Sequence, residues 1–174
     1  MAVFQEQDAL IIPTDVFGAE PSTDAGYARE VVTLTLASGD TVNVGRLLVI
    51  NDVEKTARFA VAADVFDAVG NAVVTTTRLG IFLGRDLNTN GAGHRSYLEA
   101  SFAEDGAEVD AVVIDRGYGS GQVAEGYLHL GEATVPASFF HNQTAGVQKA
   151  IRTKLKLENG FKVQRQVKPL LAIV

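Results

Sequence analysis

The sequence predicts a mainly β fold: a single compact β-sandwich or barrel-like domain, with an extended N-terminal arm and a C-terminal β-hairpin. Val, Thr, Ile and Leu recur in short runs separated by Gly, Asn and Asp, which is typical of many short strands. No 12-residue window before residue 144 has a convincing 3.6-residue period, so we expect little helix there. At 174 residues and 47% hydrophobic composition, the chain suits one domain and is too apolar for wholesale disorder.

Residues 1–28 are the predicted arm. Four residues that break regular structure punctuate this segment, and no period develops: Pro13, Gly18, Pro21 and Gly26. An unanchored terminus is the alternative interpretation. The segment lacks the basic start of a signal peptide, and no run approaches the ~20 apolar residues of a membrane span, so we expect neither.

The remaining residues, 29–174, form the predicted β-rich domain. Residues 31–36 (VVTLTL) alternate between apolar and polar side chains, and a turn-forming stretch follows them. The candidate strands are 31–36, 41–50, 56–62, 72–83, 96–103, 108–115, 122–130 and 133–140.

The domain is predicted to end in a hairpin over 151–167. Asn159-Gly160 lies between two alternating runs, which is a strong hairpin signal. With a three-residue loop, Leu157 opposes Phe161 and Leu155 opposes Val163, which collects the apolar side chains on one face. The polar residues then collect on the other face: Arg152, Lys154, Lys156, Lys162, Gln164 and Gln166. The alternative is a basic amphipathic helix over 144–157, with Thr144 as its cap and apolar residues spaced by four.

Charge is unevenly divided along the chain. The last 26 residues carry seven basic side chains and one acid, a net charge of +6, whereas the first 148 carry eight basic and twenty acidic side chains, a net charge of −12. Such polarity concerns partners and association. We expect a protein partner and not nucleic acid, because the bulk is acidic and Phe161, the one aromatic in the basic tail, lies on its apolar face.

Two motifs are candidate ligand sites. Asp86, Asn88 and Asn90 match the first half of a calcium loop, but Tyr97 stands where a bidentate glutamate belongs, so a plain turn is the main interpretation. Residues 117–121 (GYGSG) follow a strand, as a phosphate-binding loop does, but a strand-like segment comes next. We interpret this loop as a flexible connection, or as a contact loop that displays Tyr118.

No catalytic, metal or cofactor site is predicted. The three histidines are scattered without a zinc-ligand spacing, and no serine lies in a nucleophile elbow. The chain has no cysteine, which excludes disulfides and thiol nucleophiles.

The chain resembles the head decoration (cement) proteins of tailed bacteriophages. The segments that carry the resemblance are TVNVGRLLVI (41–50), TTRLGIFLGRDLN (76–88) and EVDAVVIDRGYGSGQV (108–123). It implies a non-enzymatic virion protein on the capsid surface, made in the host cytoplasm. Its partners would be the major capsid protein and further copies of itself, as a trimer or another homo-oligomer. The predicted contact residues are Phe4, Leu10, Ile11, Ile12, Phe17, Tyr118, Lys154, Lys156 and Lys162.

Two other function classes are compatible with the sequence. One is another virion component, such as a tail, neck or baseplate subunit, since these also combine β-domains with arms. The other is a small β-barrel enzyme or ligand-binding module, which a pocket converging on Asp86, His94 and Tyr118 would favour.

Overall fold

Nine strands and two α-helices are found in the part of the chain that the computed structural model describes, residues 16–19, 29–37, 44–66, 77–86, 95–96, 108–131 and 136–165. The strands are β1 Phe17–Ala19, β2 Arg29–Thr35, β3 Leu47–Asn51, β4 Thr56–Phe59, β5 Thr77–Asp86, β6 Arg95–Ser96, β7 Glu108–Ile114, β8 Gln122–Ala124 and β9 Lys162–Gln164. The helices are α1 Ala62–Val65 and α2 Ala145–Leu157. Short 3₁₀ turns occupy Glu125–Tyr127, Pro136–Ser138 and Phe140–Asn142.

Five of the strands close into a β-barrel. Around it, β3 pairs with β4, β4 with β2, β2 with β7, β7 with β5, and β5 returns to β3. Every pair is antiparallel except β2–β4, which is parallel. The short strand β6 pairs antiparallel with the last two residues of β5. The predicted mainly β, barrel-like fold is therefore confirmed.

The barrel interior is filled by alternate side chains of all five strands. This cluster consists of Val32, Leu34, Leu36, Leu48, Ile50, Ala57, Phe59, Phe82, Val109, Ala111 and Val113. Strand β2 buries only this face and leaves Val31 and Thr35 exposed, because nothing covers its outer side in the described structure. Its alternating sequence is the period-2 pattern of a half-buried strand.

Three barrel strands are apolar on both faces because a second layer covers them. The outward side chains of β3, β5 and β7 belong to a separate buried cluster, which includes Leu47, Ile81 and Ile114. This explains the continuous apolar runs LLVI, LGIFL and AVVI in these strands, since a strand that is covered on both sides has no solvent face to alternate with.

The covering layer consists of a three-stranded sheet and helix α2. The sheet has the order β1–β8–β9, with β1 antiparallel and β9 parallel to β8. Helix α2 places Val147, Ile151 and Leu155 in the cluster that it shares with the barrel. Phe161, just before β9, belongs to the same cluster, and Val163 of β9 packs against it.

The predicted hairpin over 151–167 is wrong, and the alternative helix is correct. Residues 145–157 form α2, and the side chain of Thr144 accepts a hydrogen bond from the Val147 backbone N–H, 3.4 Å away, as its N-cap. Gly160 adopts a φ of 72°, which glycine accommodates readily just beyond a helix end. The Asn-Gly signal therefore marks the end of a helix. After it, β9 pairs with β8 and not with the preceding segment.

The other predicted strands are only partly reproduced. The segments 31–36 and 108–115 match β2 and β7 closely. The predicted strand 56–62 overlaps α1 only at Ala62, whereas most of 125–130 and 136–140, where strands were predicted, lies in 3₁₀ turns and irregular backbone. Within the described residues, no helix is long and apolar enough to cross a bilayer.

Candidate functional site

A network of charged side chains lies at one end of the barrel, where β2 and β5 begin and β3 and β7 end. Arg78 at the start of β5 contacts the carboxylates of Glu30, Asp52 and Asp115, one from each neighbouring segment. Lys55 adds a contact of 3.2 Å between its Nζ and Glu30 Oε2. We call Arg78, Glu30, Asp52 and Asp115 the rim cluster.

Burial controls the electrostatics of the rim cluster. Asp115 is only 2% exposed, and the loss of water raises the pKa of its carboxyl above the ordinary value. The positive charge of Arg78 opposes that rise and Glu30 adds to it. Because Arg78 links β5 to the start of β2, to the turn after β3 and to the segment after β7, the cluster joins the barrel end by charge-assisted contacts.

The glycine-rich loop 117–121 packs directly against the residues that follow α2. The backbone N–H of Gly117 donates to Asn159 O at 2.6 Å, and the N–H of Gly119 donates to Gly160 O at 2.8 Å. A Cβ atom on Gly117 would lie 2.6 Å from Gly160 O, so no larger residue fits there without a shift. Gly117 allows this close approach of two backbones, Gly119 adopts a φ of 74°, and a Cβ atom on Gly121 would lie 3.0 Å from the Phe161 ring, which accounts for the three glycines without a phosphate.

Asn159 connects this loop to the barrel. Its side-chain amide is buried and donates to the carbonyl oxygens of Leu79 and Asp115, each at 2.6 Å. Asn159 therefore fixes the end of α2 against both β5 and the segment after β7.

Tyr118 lies on this loop and is 42% exposed, in agreement with its predicted display. Its φ of 46° is in the left-handed region. Arg116 hydrogen-bonds the Tyr118 side chain, and this contact, together with the Asp115 carboxylate, raises the pKa of the Arg116 guanidinium. Whether Tyr118 contacts a partner remains a prediction.

Exposed basic side chains lie on the outer sides of α2 and β9. Both elements bury most of their apolar residues in the shared core, and four basic side chains are exposed: Lys149 and Lys156 on α2, Lys162 on β9, and Arg165 directly after β9. We call these four residues the α2–β9 basic face. Leu157, 79% exposed, lies beside them at the end of α2.

Two basic residues of the same region have structural partners. Lys154 is only 8% exposed, and its Nζ is 3.2 Å from Glu158 Oε1, so its prediction as an exposed contact residue is wrong. The error follows from the hairpin, because a helix turns Lys154 towards the core beside Leu155. Arg152 forms a bidentate pair with Glu125, at 2.6 and 2.8 Å, and is held there.

His129 is the most deeply buried histidine of the described residues. Its Nε2 lies 3.3 Å from Val44 O, and its Nδ1 contacts Gly131 O. Burial lowers the pKa of His129 from 6.5 to about 4, although both backbone contacts oppose the shift. The neutral ring is a core side chain that packs beside Phe139.

The remaining predicted site residues fall into three groups. Phe17 is buried in the chain's own core next to Phe161, so it is not a freely exposed contact residue of the arm as predicted. Asp86 is the last residue of β5, and its side chain is not among those that the structure describes. Several lie outside the described residues altogether: Phe4, Leu10, Ile11, Ile12, Asn88, Asn90 and His94. Within the described ranges, no group of three or more His, Asp or Glu side chains is placed to hold a metal ion.

In comparisons with protein-family models, curated proteins and solved structures, nothing matches this chain. Its own residues therefore carry the functional argument.

Sequence reasoning missed the rim cluster and Asn159. Each member is a single charged or polar residue at a strand end, and such residues are ordinary at the surface. Only the strand order brings Glu30, Asp52, Arg78 and Asp115 together. The one available signal was Asp115-Arg116 directly after an apolar strand.

Proposed function

We propose that this protein is a non-enzymatic assembly component that docks on an acidic protein surface through the α2–β9 basic face. In its specific form, the proposal is a head decoration protein that binds the outside of a bacteriophage capsid and bridges neighbouring capsid subunits. The observation that carries it is the exposure of Lys149, Lys156, Lys162 and Arg165 on one covering layer of an otherwise acidic chain.

The pairing of other basic side chains within the chain supports this choice of surface. Arg78, Arg152 and Lys154 are engaged by carboxylates of the chain itself. Opposite charges across an interface orient the partners and speed their encounter. Exposed lysines such as Lys149, Lys156 and Lys162 can serve this purpose at little cost to the stability of the fold.

The covering layer is also mechanically suited to docking. Helix α2 is fixed at its start by the Thr144 cap, in its middle by Arg152 and Glu125, and at its end by Asn159. A face held at three points loses little conformational freedom on binding, which favours affinity. The exposed Leu157 adds an apolar contact at its edge.

The test is co-sedimentation with empty shells of a major capsid protein, at increasing salt. Binding by wild-type protein that weakens with salt is expected, because salt screens exposed charges. The variant Lys156→Gln/Lys162→Gln is expected to lose most of this binding. Its matched control is Thr35→Glu/Ala63→Glu, which lowers the net charge equally at exposed positions of β2 and α1.

Two results would overturn the proposal. One is a monodisperse monomer that ignores shells at low salt. The other is equal loss of binding in the control, which would show that net charge and not this face matters. Rings or tubes formed without any shell would instead favour a tail, neck or baseplate subunit.

A further inference from the structure

Strand β1 belongs to the predicted arm, yet it completes the core of the domain. It pairs antiparallel with β8, with Phe17 opposite Val123 and Ala19 opposite Gln122. In the described structure it has no other strand neighbour. The attachment of the arm therefore depends on a partner strand more than 100 residues later in the chain.

The attachment is a side-chain anchor as well as a strand pair. Val16 is fully buried and Phe17 nearly so, within the cluster shared by the barrel and its covering layer. The Phe17 ring lies 6.3 Å from that of Phe161, and Val16 packs close to Gly45. Strand β1 thus fills a slot beside β8. If β1 left this slot, β8 would have an unpaired edge and the core would lose the side chains of Val16 and Phe17.

The end of β1 and the start of β2 lie beside the two ends of one loop. Ala19 pairs with Gln122 and Arg29 pairs with Ile114, so both ends lie beside the same loop, 115–121. Nine residues, 20–28, separate them in sequence. A segment of that length reaches up to about 30 Å when extended, which is enough to leave its own domain.

We propose that β1 exchanges between copies, so that Val16 and Phe17 of one chain fill the slot beside β8 of a second chain. The exchanged contacts are the same as those within one chain, so no new interface has to evolve. Exchange is favoured when copies are held at high local concentration. The proposal concerns the protein itself and does not depend on shell binding.

The absence of cysteine from the chain gives a direct test. Ala19→Cys and Gln122→Cys are placed on separate chains, one of them lengthened by a tag, and the two are unfolded, mixed and refolded together. Cross-strand partners lie within disulfide reach, so a mixed disulfide reports β1 of one copy on β8 of another. The control replaces Gln122→Cys with Thr153→Cys, an exposed position on α2.

A mixed dimer several-fold more abundant than in the control, and increasing with protein concentration, is the expected result. The variant with both cysteines in one chain calibrates the test and is expected to close within the chain at low concentration. Intramolecular closure together with a mixed dimer no more abundant than the control would overturn the proposal. Failure of the double variant to close would overturn it as well, because β1 would then not pair with β8.

Discussion

The rim cluster and the α2–β9 basic face use similar side chains for opposite purposes. At the rim, Arg78 contacts three carboxylates across neighbouring barrel segments, and Asp115 is almost inaccessible to water. On the outer side of α2 and β9, Lys156 and Lys162 extend into solvent. Charges of the first kind hold the fold, because removing Arg78 takes the nearest cation away from the buried carboxylate of Asp115. Charges of the second kind cost little to remove and are available to a partner.

The largest expected effect is at the centre of the rim. Arg78→Met leaves Glu30, Asp52 and Asp115 without their shared cation, and we expect a loss of about 4 kcal/mol in the free energy of unfolding. Chemical denaturation at pH 7 measures it. The difference in the free energy of unfolding between Arg78→Met and wild type is expected to decrease at acid pH. The pKa of Asp115 is already raised, and its protonation relieves the repulsion among the three carboxylates.

Arg58→Met is the matched control for that substitution. Arg58 pairs with Asp64 at a half-exposed position, where an ion pair contributes about 1 kcal/mol or less. Equal losses for the two arginines would contradict the structural role assigned to the rim.

Substitution of Asn159 is expected to cause the second-largest loss in the free energy of unfolding. Asn159→Ala removes both hydrogen bonds to the buried carbonyls of Leu79 and Asp115, with an expected loss of about 3 kcal/mol. Asn159→Asp keeps the shape but turns a donor into an acceptor, so we expect at least the same loss in denaturation experiments. A stable Asn159→Asp protein would refute the hydrogen-bond explanation.

His129 gives the covering layer a pH dependence. Its pKa is about 4 in the folded chain, and the ordinary value is 6.5, so the unfolded state binds the proton more tightly. The stability contribution is complete above pH 6.5 and is lost as the pH falls towards 4. We expect a decrease of about 2 kcal/mol between pH 7.5 and 5 from this residue.

Denaturation curves at the two pH values measure this decrease. His129→Gln should remove that part of the pH dependence, whereas His141→Gln, at an exposed position, should retain it. An unchanged pH profile in His129→Gln would show that other groups cause the acid response.

The smallest effect on stability is expected on the basic face. Lys156→Gln/Lys162→Gln should change the free energy of unfolding by no more than about 0.5 kcal/mol, because both side chains are exposed. Thermal unfolding of this variant beside wild type provides the measurement. A loss comparable with that of Asn159→Ala would assign these lysines to the fold.

The sequence predicted the barrel strands better than the covering layer. Alternation in β2 and the apolar runs in β3, β5 and β7 report directly on which strand faces are buried. The C-terminal region was ambiguous because Val147, Ile151 and Leu155 are spaced by four. That spacing fits a helical face and is also a multiple of two, so it sorts cleanly onto one face of a strand.

Local patterns could not identify the site residues either. Asn159-Gly160 is a turn signal in a hairpin and an end signal after a helix, and only the contacts of Asn159 with β5 and the segment after β7 distinguish them. Likewise, Phe17 belongs to a segment without a period. Its burial depends on β8, which lies far away in the sequence.

One measurement tests the division between structural and docking charges most directly: shell binding of Arg78→Met and Lys156→Gln/Lys162→Gln, side by side, at a temperature where both are folded. We expect Arg78→Met to bind like wild type despite its lower stability, and the double lysine variant to keep its stability but bind weakly. Wild-type binding by the double lysine variant would contradict the assignment of Lys156 and Lys162 to docking.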